Sequence, residues 1–238
     1  MEQPPHKETS SRQIVAPIVR EAAKALADKN IPMVEYGQQI QWRHGEPVVL
    51  LLVEWAVPDT LLSPASQILF DHGFPCVPPP KRLTDMYGKW ERACIIHKLG
   101  PSSLHLYPLS FVGLELQDTI EVTSTFDHTL KVLTPSPSMY MASLIRHLLN
   151  HPVGDSSRSR AHDDLISLVA FYIFHEEPLN TKDGEWEDNE SEEHFQKRVE
   201  DAVREMKTWD WSGDTRDYLC IAEAVVRDCR SVYQLSNC

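Results

Sequence analysis

The sequence predicts a mixed α/β fold, in which a layer of strands and helices is followed by a helical half. An almost continuous apolar run at residues 48–57 is typical of a strand buried on both faces. Short candidate strands and helices alternate around it up to about residue 137. Later in the chain, residues 192–207 and 215–233 carry apolar side chains at helical spacing, which predicts two amphipathic helices.

The N-terminal half divides into short elements. Residues 1–13 are polar and are predicted to be disordered, and residues 17–30 predict a first helix. The next predicted elements are a strand at 31–36 that ends at Gly37, a helix at 38–44, the strand at 48–57 and a helix at 61–72. Further strands are expected at 93–98, 104–107 and 120–123, whereas the prolines of 74–80 argue against regular structure and the rest of 109–137 is expected to be irregular.

From residue 138 onward the sequence is predicted to be helical. Helices are expected at 139–150 and 162–175, the second apolar almost all round, before the two amphipathic helices. We therefore expect a disordered tail at 1–13, an α/β core at 14–137, and a helical region at 138–238 packed on that core.

The net charge of −12 is concentrated in one segment. Residues 176–193 hold nine acids and one lysine, which leaves only −4 for the rest of the chain. This segment is predicted to be a solvated loop or a partner-binding strip. The acidity therefore does not exclude a basic surface elsewhere.

The remaining composition favours a reduced, cytoplasmic protein. The five cysteines are odd in number and contain no C-x-x-C, so neither a disulfide framework nor a zinc ribbon is indicated. No secretory signal is visible, and no apolar run reaches the roughly 18 residues that cross a bilayer. His147 and His151 have a zinc-compatible spacing but no evident third ligand, so we expect no metal.

Common cofactor and nucleophile motifs are absent from the sequence. It contains no G-x-x-x-x-G-K-[ST], no G-x-G-x-x-G and no G-x-S-x-G. We therefore expect no cofactor. A bond-forming reaction would be simplest with a substrate that is already activated.

Four positions in the N-terminal half are candidates for ligand contact or acid–base chemistry. The turn at Gly37 precedes a helix and either holds an anion on free N–H groups or is a plain strand-to-helix turn. Glu54 interrupts an apolar strand, where it either accepts a substrate amine or guanidinium or lies at a sheet edge with its carboxylate in water. His105 and Tyr107 on one strand are acid or base candidates, although strand packing is the alternative role.

Charged residues elsewhere suggest two further surfaces. Asp163 and Asp164 precede a long apolar stretch, where they either favour the helix dipole or bind a cation such as an arginine side chain. Arg158 and Arg160 are either their ion-pair partners or phosphate contacts. Bases with interleaved aromatic residues at 81–98 suit a nucleic-acid backbone or form a solvated loop, and the bases considered are Lys81, Arg82, Lys89 and Arg92.

Three blocks together resemble a group of small fungal proteins with a nucleotidyltransferase-like core. They are ADKNIPMVEYGQQIQW with VEWAVPD and ASQILFDHGFPCVPPP, then LHLYPLSFVGLEL, then STFDHTLKVLTPSPSMYMASLIRHLLNHP with RSRAHDDLISLVAFYIF. The resemblance implies a mixed-sheet core in which a Gly turn holds phosphate and two strand carboxylates hold metal. Here Leu52 stands where the first carboxylate is expected, so two-metal phosphoryl transfer is not expected.

Some fungal proteins of this kind are arginine-containing cyclodipeptide synthases. That resemblance implies arginyl-tRNA and a second aminoacyl-tRNA as partners, and a diketopiperazine as product. Their Asp-Asp-x-x-Glu motif corresponds to Asp163-Asp164-Leu165-Ile166-Ser167, with serine in the last place. The implied catalytic residues are Asp163, Asp164, Glu54 and Ser167, the substrate contacts are Tyr36, Gly37, His105 and Tyr107, and the tRNA contacts are Lys81, Arg82, Lys89, Arg92, Arg158 and Arg160.

Two other functions remain open from the sequence. The missing carboxylate at Leu52 also fits a catalytically degenerate nucleotidyltransferase-fold binding protein. The acidic segment 176–193 also fits an interaction module.

Overall fold

A computed structural model describes residues 9–50, 52–81, 88, 92–176, 191–211 and 218–227, with side chains from residue 17 onward. The chain divides into two compact units. Unit one comprises the described residues of Met1–Ile40 and Val49–Thr134, and unit two those of Gln41–Val48 and Pro135–Cys238. The predicted domain boundaries at 13/14 and 137/138 stay predictions.

Unit one is built on a seven-stranded mixed sheet, which confirms the predicted α/β class. The strand order is β3-β4-β5-β2-β1-β7-β6. Strand β2 pairs parallel with β5 and antiparallel with β1, while β1 pairs parallel with β7. The strands are β1 (Val34–Glu35), β2 (Leu52–Val57), β3 (Cys76–Val77), β4 (Ile95–Leu99), β5 (Ser102–Pro108), β6 (Thr119–Thr123) and β7 (Lys131–Pro135).

The apolar run that predicted a doubly buried strand forms the centre of this sheet. All residues of β2 after Leu52 are buried, and neighbouring strands flank it on both sides. Helices α1 (Thr9–Ala27) and α3 (Leu62–Asp71) pack against the sheet. The shared core includes Val19, Leu26, Val53, Trp55, Leu69, Leu104 and Leu106.

Short helix α2 (Gln38–Arg43) leads from unit one into unit two, whose other helices are longer. They are α4 (Pro137–Asn150), α5 (Ser157–Ser167), α6 (Glu192–Met206) and α7 (Leu219–Arg227), with a π-helix (Leu168–Ile173) directly after α5. Ser136 and Ser191 cap α4 and α6 through their side-chain oxygens. No helix among the described residues is long and apolar enough to cross a membrane.

Three predictions about secondary structure were wrong: the start of the first helix and the absence of two strands. Helix α1 starts at Thr9, so Pro17 lies inside it, and the buried side chains that follow offset the hydrogen bond that proline lacks. Cys76 and Val77 form a strand despite the neighbouring prolines, because these two residues retain their N–H groups and pair with β4. Strand β7 was missed within the stretch expected to be irregular, since pairing with β1 defines it.

The helix predicted at 162–175 also differs from the structure. It begins at Ser157 and becomes a π-helix at Leu168. Asp163 and Asp164 therefore lie in the middle of α5, and their predicted position in a first helical turn was wrong. A π-helix within a helix is uncommon and is often found at functional sites.

Candidate functional site

The Gly37 turn in unit one is occupied by the protein's own carboxylate. Gly37 adopts a φ of +57°, the left-handed conformation that glycine reaches most readily. Directly after it, the Gln38 backbone N–H donates to Oε2 of Glu54 at 3.0 Å. The N–H that could hold an anion at this turn is therefore already paired with Glu54.

Glu54 is also the end of a buried chain of polar side chains. The parallel register of β2 and β5 sets Glu54 opposite His105. The Tyr107 hydroxyl donates to Oε1 of Glu54 at 3.3 Å and lies 3.3 Å from Nδ1 of His105, whose Nε2 is 3.2 Å from the Ser103 hydroxyl. Glu54, His105 and Tyr107 are fully buried, so the expectation of an edge-strand carboxylate in water was wrong for Glu54.

The predicted substrate contacts lie around the same residue, Glu54. Tyr36 donates its N–H to the Glu54 carbonyl at 3.0 Å, and its ring lies 6.1 Å from that of Tyr107. The Gln39 side chain bonds both backbone groups of Glu54, at 3.0 and 3.1 Å. Unit one thus brings Tyr36, Gly37, Tyr107 and Glu54 together, while their binding role stays a prediction.

These residues do not fit the metal site that a nucleotidyltransferase-like core implies. Leu52 offers no ligand, and Glu54 is surrounded by hydrogen-bond donors of the protein. Nowhere among the described residues do three or more His, Cys, Asp or Glu side chains come together as metal ligands. The described residues therefore provide no set of ligands for the metal ions that such phosphoryl transfer uses.

In unit two, the side chains of the neighbouring residues Asp163 and Asp164 lie in different surroundings. The Asp163 side chain is 71% exposed, and its Oδ1 lies 3.6 Å from Nδ1 of His162. Asp164 is buried, because successive helical residues differ by about 100° in direction. The two carboxylates therefore do not form one bidentate site.

Asp164 accepts hydrogen bonds from two other parts of unit two. Nε2 of Gln41 donates to its Oδ1 at 2.6 Å, and the Tyr140 hydroxyl donates to its Oδ2 at 3.4 Å. A buried carboxylate needs such donors to remain charged. Asp164 is thus a buried carboxyl group held by two hydrogen-bond donors.

Ser167 lies one helical turn after Asp164, where α5 becomes the π-helix, and it is hydrogen-bonded to Glu46. Partial burial raises the pKa of Glu46, while the hydrogen bond from Ser167 opposes this shift. The Oε2 atom of Glu46 is buried and has no hydrogen-bond partner among the described residues. A serine hydroxyl paired with a carboxylate of raised pKa is an arrangement for proton transfer from the hydroxyl.

His44 adds a second unusual titratable group to unit two. Its ring packs 4.6 Å from Tyr172 and 5.6 Å from Tyr140. Burial and the charge of Arg43 lower the pKa of His44 to about 4, so the imidazole is neutral near pH 7. Its Nδ1 has no hydrogen-bond partner within the described ranges.

The predicted tRNA contacts have varied surroundings. Lys81 and Arg92 are exposed and Arg160 is half-buried, whereas Arg82 and Lys89 lie outside the described residues. Arg158 is buried, and its guanidinium donates to the carbonyl oxygens of Leu148 and of His151, the latter at 2.5 Å. Because these bonds cap the C-terminal end of α4, we leave Arg158 out of the proposed RNA surface.

Sequence reasoning missed Gln41, His44, Glu46 and Tyr140. The first three lie in a segment predicted as a short helix and loop, about 120 residues before the aspartates. No local motif links these positions, because only tertiary folding brings Gln41, Glu46 and Tyr140 to α5.

Comparisons with known proteins found similarity to solved structures at low sequence identity. No family model matches the sequence. No curated protein matches it either. An antigenic nucleotidyltransferase-like protein from Paracoccidioides brasiliensis is similar with 15% identity and a TM-score of 0.42, over 94% of this chain and 96% of that one. The antibiotic-resistance factor ANT(2″)-Ia is similar with 11% identity and a TM-score of 0.40, over 66% of this chain and 88% of that one.

Proposed function

We propose that the chain is a transferase that forms an arginine-containing cyclodipeptide from two aminoacyl-tRNAs, with Ser167 as the nucleophile. The observation that carries this proposal is the position of Ser167, which lies where the π-helix begins, one helical turn from buried Asp164 and in contact with Glu46. The raised pKa of Glu46 makes its carboxylate a stronger base than an ordinary glutamate. An aminoacyl ester is already activated, so the reaction needs neither a nucleotide nor a metal.

The first step is transfer of the arginyl group to Ser167. The Ser167 oxygen attacks the ester carbonyl, and its proton passes to Glu46. As the bond from the acyl carbon to the tRNA oxygen breaks, Glu46 returns that proton to the leaving oxygen. The product is an arginyl ester on Ser167 and a free tRNA.

The next steps form two amide bonds. The α-amine of the second aminoacyl-tRNA attacks the Ser167 ester and gives a proton to Glu46, which delivers it to the departing serine oxygen. The free amine of the resulting dipeptidyl-tRNA then attacks its own ester and closes the ring, and its proton passes to the departing oxygen of the second tRNA. Holding both groups in one site supplies much of the rate.

Asp164 is the proposed partner of the arginyl guanidinium. It lies three residues before Ser167, and residues at this spacing share a helix face. A buried carboxylate binds a guanidinium strongly because little water competes with the pair. The guanidinium would replace the longer hydrogen bond from Tyr140.

The test is incubation of the purified protein with labelled arginyl-tRNA alone and then with a mixture of aminoacyl-tRNAs. Labelled arginine should remain on the acid-precipitated protein in the first case, and a labelled diketopiperazine should form in the second. Ser167→Ala should abolish both signals, and Glu46→Gln should lower both by about 100-fold.

Ser159 provides a matched control for Ser167, because it is an exposed serine on the same helix. Ser159→Ala should retain both the covalent label and the product. The proposal is wrong if the wild-type protein gives neither signal, or if Ser167→Ala retains the label.

Asp163 and Asp164 form a second matched pair. Asp164→Asn should reduce use of arginyl-tRNA by at least about tenfold, because the guanidinium would lose its charged partner, whereas exposed Asp163→Asn should have little effect. Equal effects of the two substitutions on arginine use would contradict the assigned role of Asp164.

A second candidate is a non-catalytic binding protein, favoured by Leu52 and by the pairing of Glu54 at the Gly37 turn. It predicts no transfer from labelled nucleoside triphosphates with magnesium and no diketopiperazine. Formation of either product would exclude it.

A further inference from the structure

A cysteine, a serine and a histidine meet at the β3 edge of the sheet in unit one. We call Cys76, Ser66 and His97 the Cys76 cluster. The register of β3 and β4 sets Cys76 directly opposite His97, which places both side chains on one face of the sheet. Cys76 is exposed, His97 is fully buried, and Ser66 reaches them from α3. The thiol of an exposed cysteine thus lies beside a buried imidazole.

The hydrogen bonds of His97 fix its tautomer. Nδ1 lies 2.7 Å from the carbonyl oxygen of Phe74, which only accepts hydrogen bonds, so Nδ1 carries the proton. In the neutral ring Nε2 is then an acceptor, and the Ser66 hydroxyl at 2.9 Å donates to it. Burial lowers the pKa of His97 and so keeps the ring neutral, although the bond to Phe74 opposes this shift.

The orientation of Ser66 leaves its oxygen free to accept a proton from the thiol. Sγ of Cys76 lies 3.5 Å from the Ser66 oxygen. It lies 3.7 and 3.8 Å from the two ring nitrogens of His97, and this near equality places the sulfur over the ring face. The route along the hydrogen bonds therefore runs from Cys76 through Ser66 to Nε2 of His97.

We propose that Cys76 is a modification site that undergoes thiol–disulfide exchange with small disulfides, with Ser66 and His97 relaying its proton. The Cys76 sulfur attacks one sulfur of the disulfide, a new S–S bond forms and the old one breaks. The thiol proton moves through Ser66 to His97 and then to the departing thiolate. One disulfide and one thiol are consumed, and one mixed disulfide and one thiol are formed.

The exposed Cys220 on α7 in unit two serves as an internal comparison. We suggest two full-length variants, each with a single cysteine, at position 76 or at position 220, and all other cysteines changed to serine. Each reacts with an aromatic disulfide, 5,5′-dithiobis(2-nitrobenzoate), and with oxidised glutathione between pH 6 and 9. The rate of thiol loss is followed by absorbance and by intact mass.

Cys76 should react about tenfold faster than Cys220 at pH 7. Ser66→Ala in the variant that retains only Cys76 should slow the reaction by a similar factor and make its rate rise more steeply with pH, because bulk hydroxide must then remove the proton. His97→Gln should have the same effect. Circular dichroism checks that each variant is folded.

Ser66→Ala is the decisive variant, because alanine suits a helix and the substitution does not remove the buried ring. The relay is wrong if Ser66→Ala leaves both the rate and the pH profile unchanged. The site is wrong if Cys76 reacts no faster than Cys220. Neither outcome depends on the acyl-transfer reaction proposed above.

Discussion

Single residues in unit two are tuned by burial more than by their neighbours in sequence. Glu46 and His44 are two positions apart, and burial raises the pKa of the carboxyl group and lowers that of the imidazole. Both shifts favour the neutral form of the side chain. The segment Gln41–Val48 thus contains the proposed base for Ser167 and an imidazole that stays neutral near pH 7.

The His44 shift predicts a loss of stability in mild acid. Its pKa is about 4 in the folded protein, against about 6.5 in an unfolded chain, so folding favours the neutral ring. This contribution is fully present above pH 6.5 and is lost as the pH falls toward 4. The loss should reach about 3 kcal/mol at pH 4, and His44→Gln should remove it.

Urea unfolding at pH 7.5, 6, 5 and 4 measures this difference for the wild-type protein and His44→Gln. Comparing the two proteins cancels carboxyl groups that titrate in both. A constant difference in unfolding free energy across this range would contradict the shift, and so would an NMR titration of His44 with an ordinary midpoint.

At the scale of elements, a side-chain amide takes the place of a strand beside β2. Strand β1 is only two residues long, and the chain turns away at Gly37. Gln39 on α2 then supplies both a donor and an acceptor to the backbone of Glu54. This pairing fixes the start of α2 against the centre of the sheet.

Gln39→Met should therefore destabilise the protein by about 2 kcal/mol, because the buried Glu54 N–H would lose its acceptor. Gln38→Ala is the matched control, since the Gln38 side chain accepts a longer bond than Gln39 does, 3.4 Å from the Leu52 N–H. Equilibrium unfolding in urea compares the two. If Gln39→Met costs no more than Gln38→Ala, the amide does not anchor the helix.

At the scale of the whole molecule, the charge distribution bears on the proposed binding of tRNA. Segment 176–193 carries −8 of the net −12, and its acids at 177–190 lie outside the described residues. Lys81 and Arg92 are exposed bases on the described surface. A protein with a net negative charge repels RNA at long range, and this repulsion opposes binding.

Neutralising four acids of this segment should strengthen tRNA binding at low salt. We suggest changing Glu185, Glu187, Asp188 and Glu190 to their amides, which reduces the net negative charge from −12 to −8. Affinity should rise several-fold at 50 mM salt and by less at 300 mM, because salt screens distant charges. Filter binding at several salt concentrations measures this.

Removing phosphate contacts should have a different signature. Lys81→Ala with Arg92→Ala should weaken binding and reduce the salt slope by about two, one for each lost contact. If neutralising the acids weakens binding instead, the acidic segment itself contacts the RNA or its acceptor end.

The sequence alone determined the fold class and most elements, because period and apolar content depend on local residues. The run at 48–57 became the central strand β2, and the helix predicted at 38–44 became α2. The sequence did not predict strand β7 or the two-residue strand β3, since pairing partners distant in sequence define them.

For the candidate site, the sequence provided the residue types and the tertiary structure decided their surroundings. Asp163 and Asp164 are neighbouring residues of the same type. Asp163 is exposed, whereas Asp164 is buried against Gln41 and Tyr140. The sequence indicated Ser167 as a candidate catalytic residue. It did not indicate Glu46, because Glu46 lies 121 positions earlier in the chain. Burial and long-range pairing set the protonation of such groups, and both arise only when distant segments pack together.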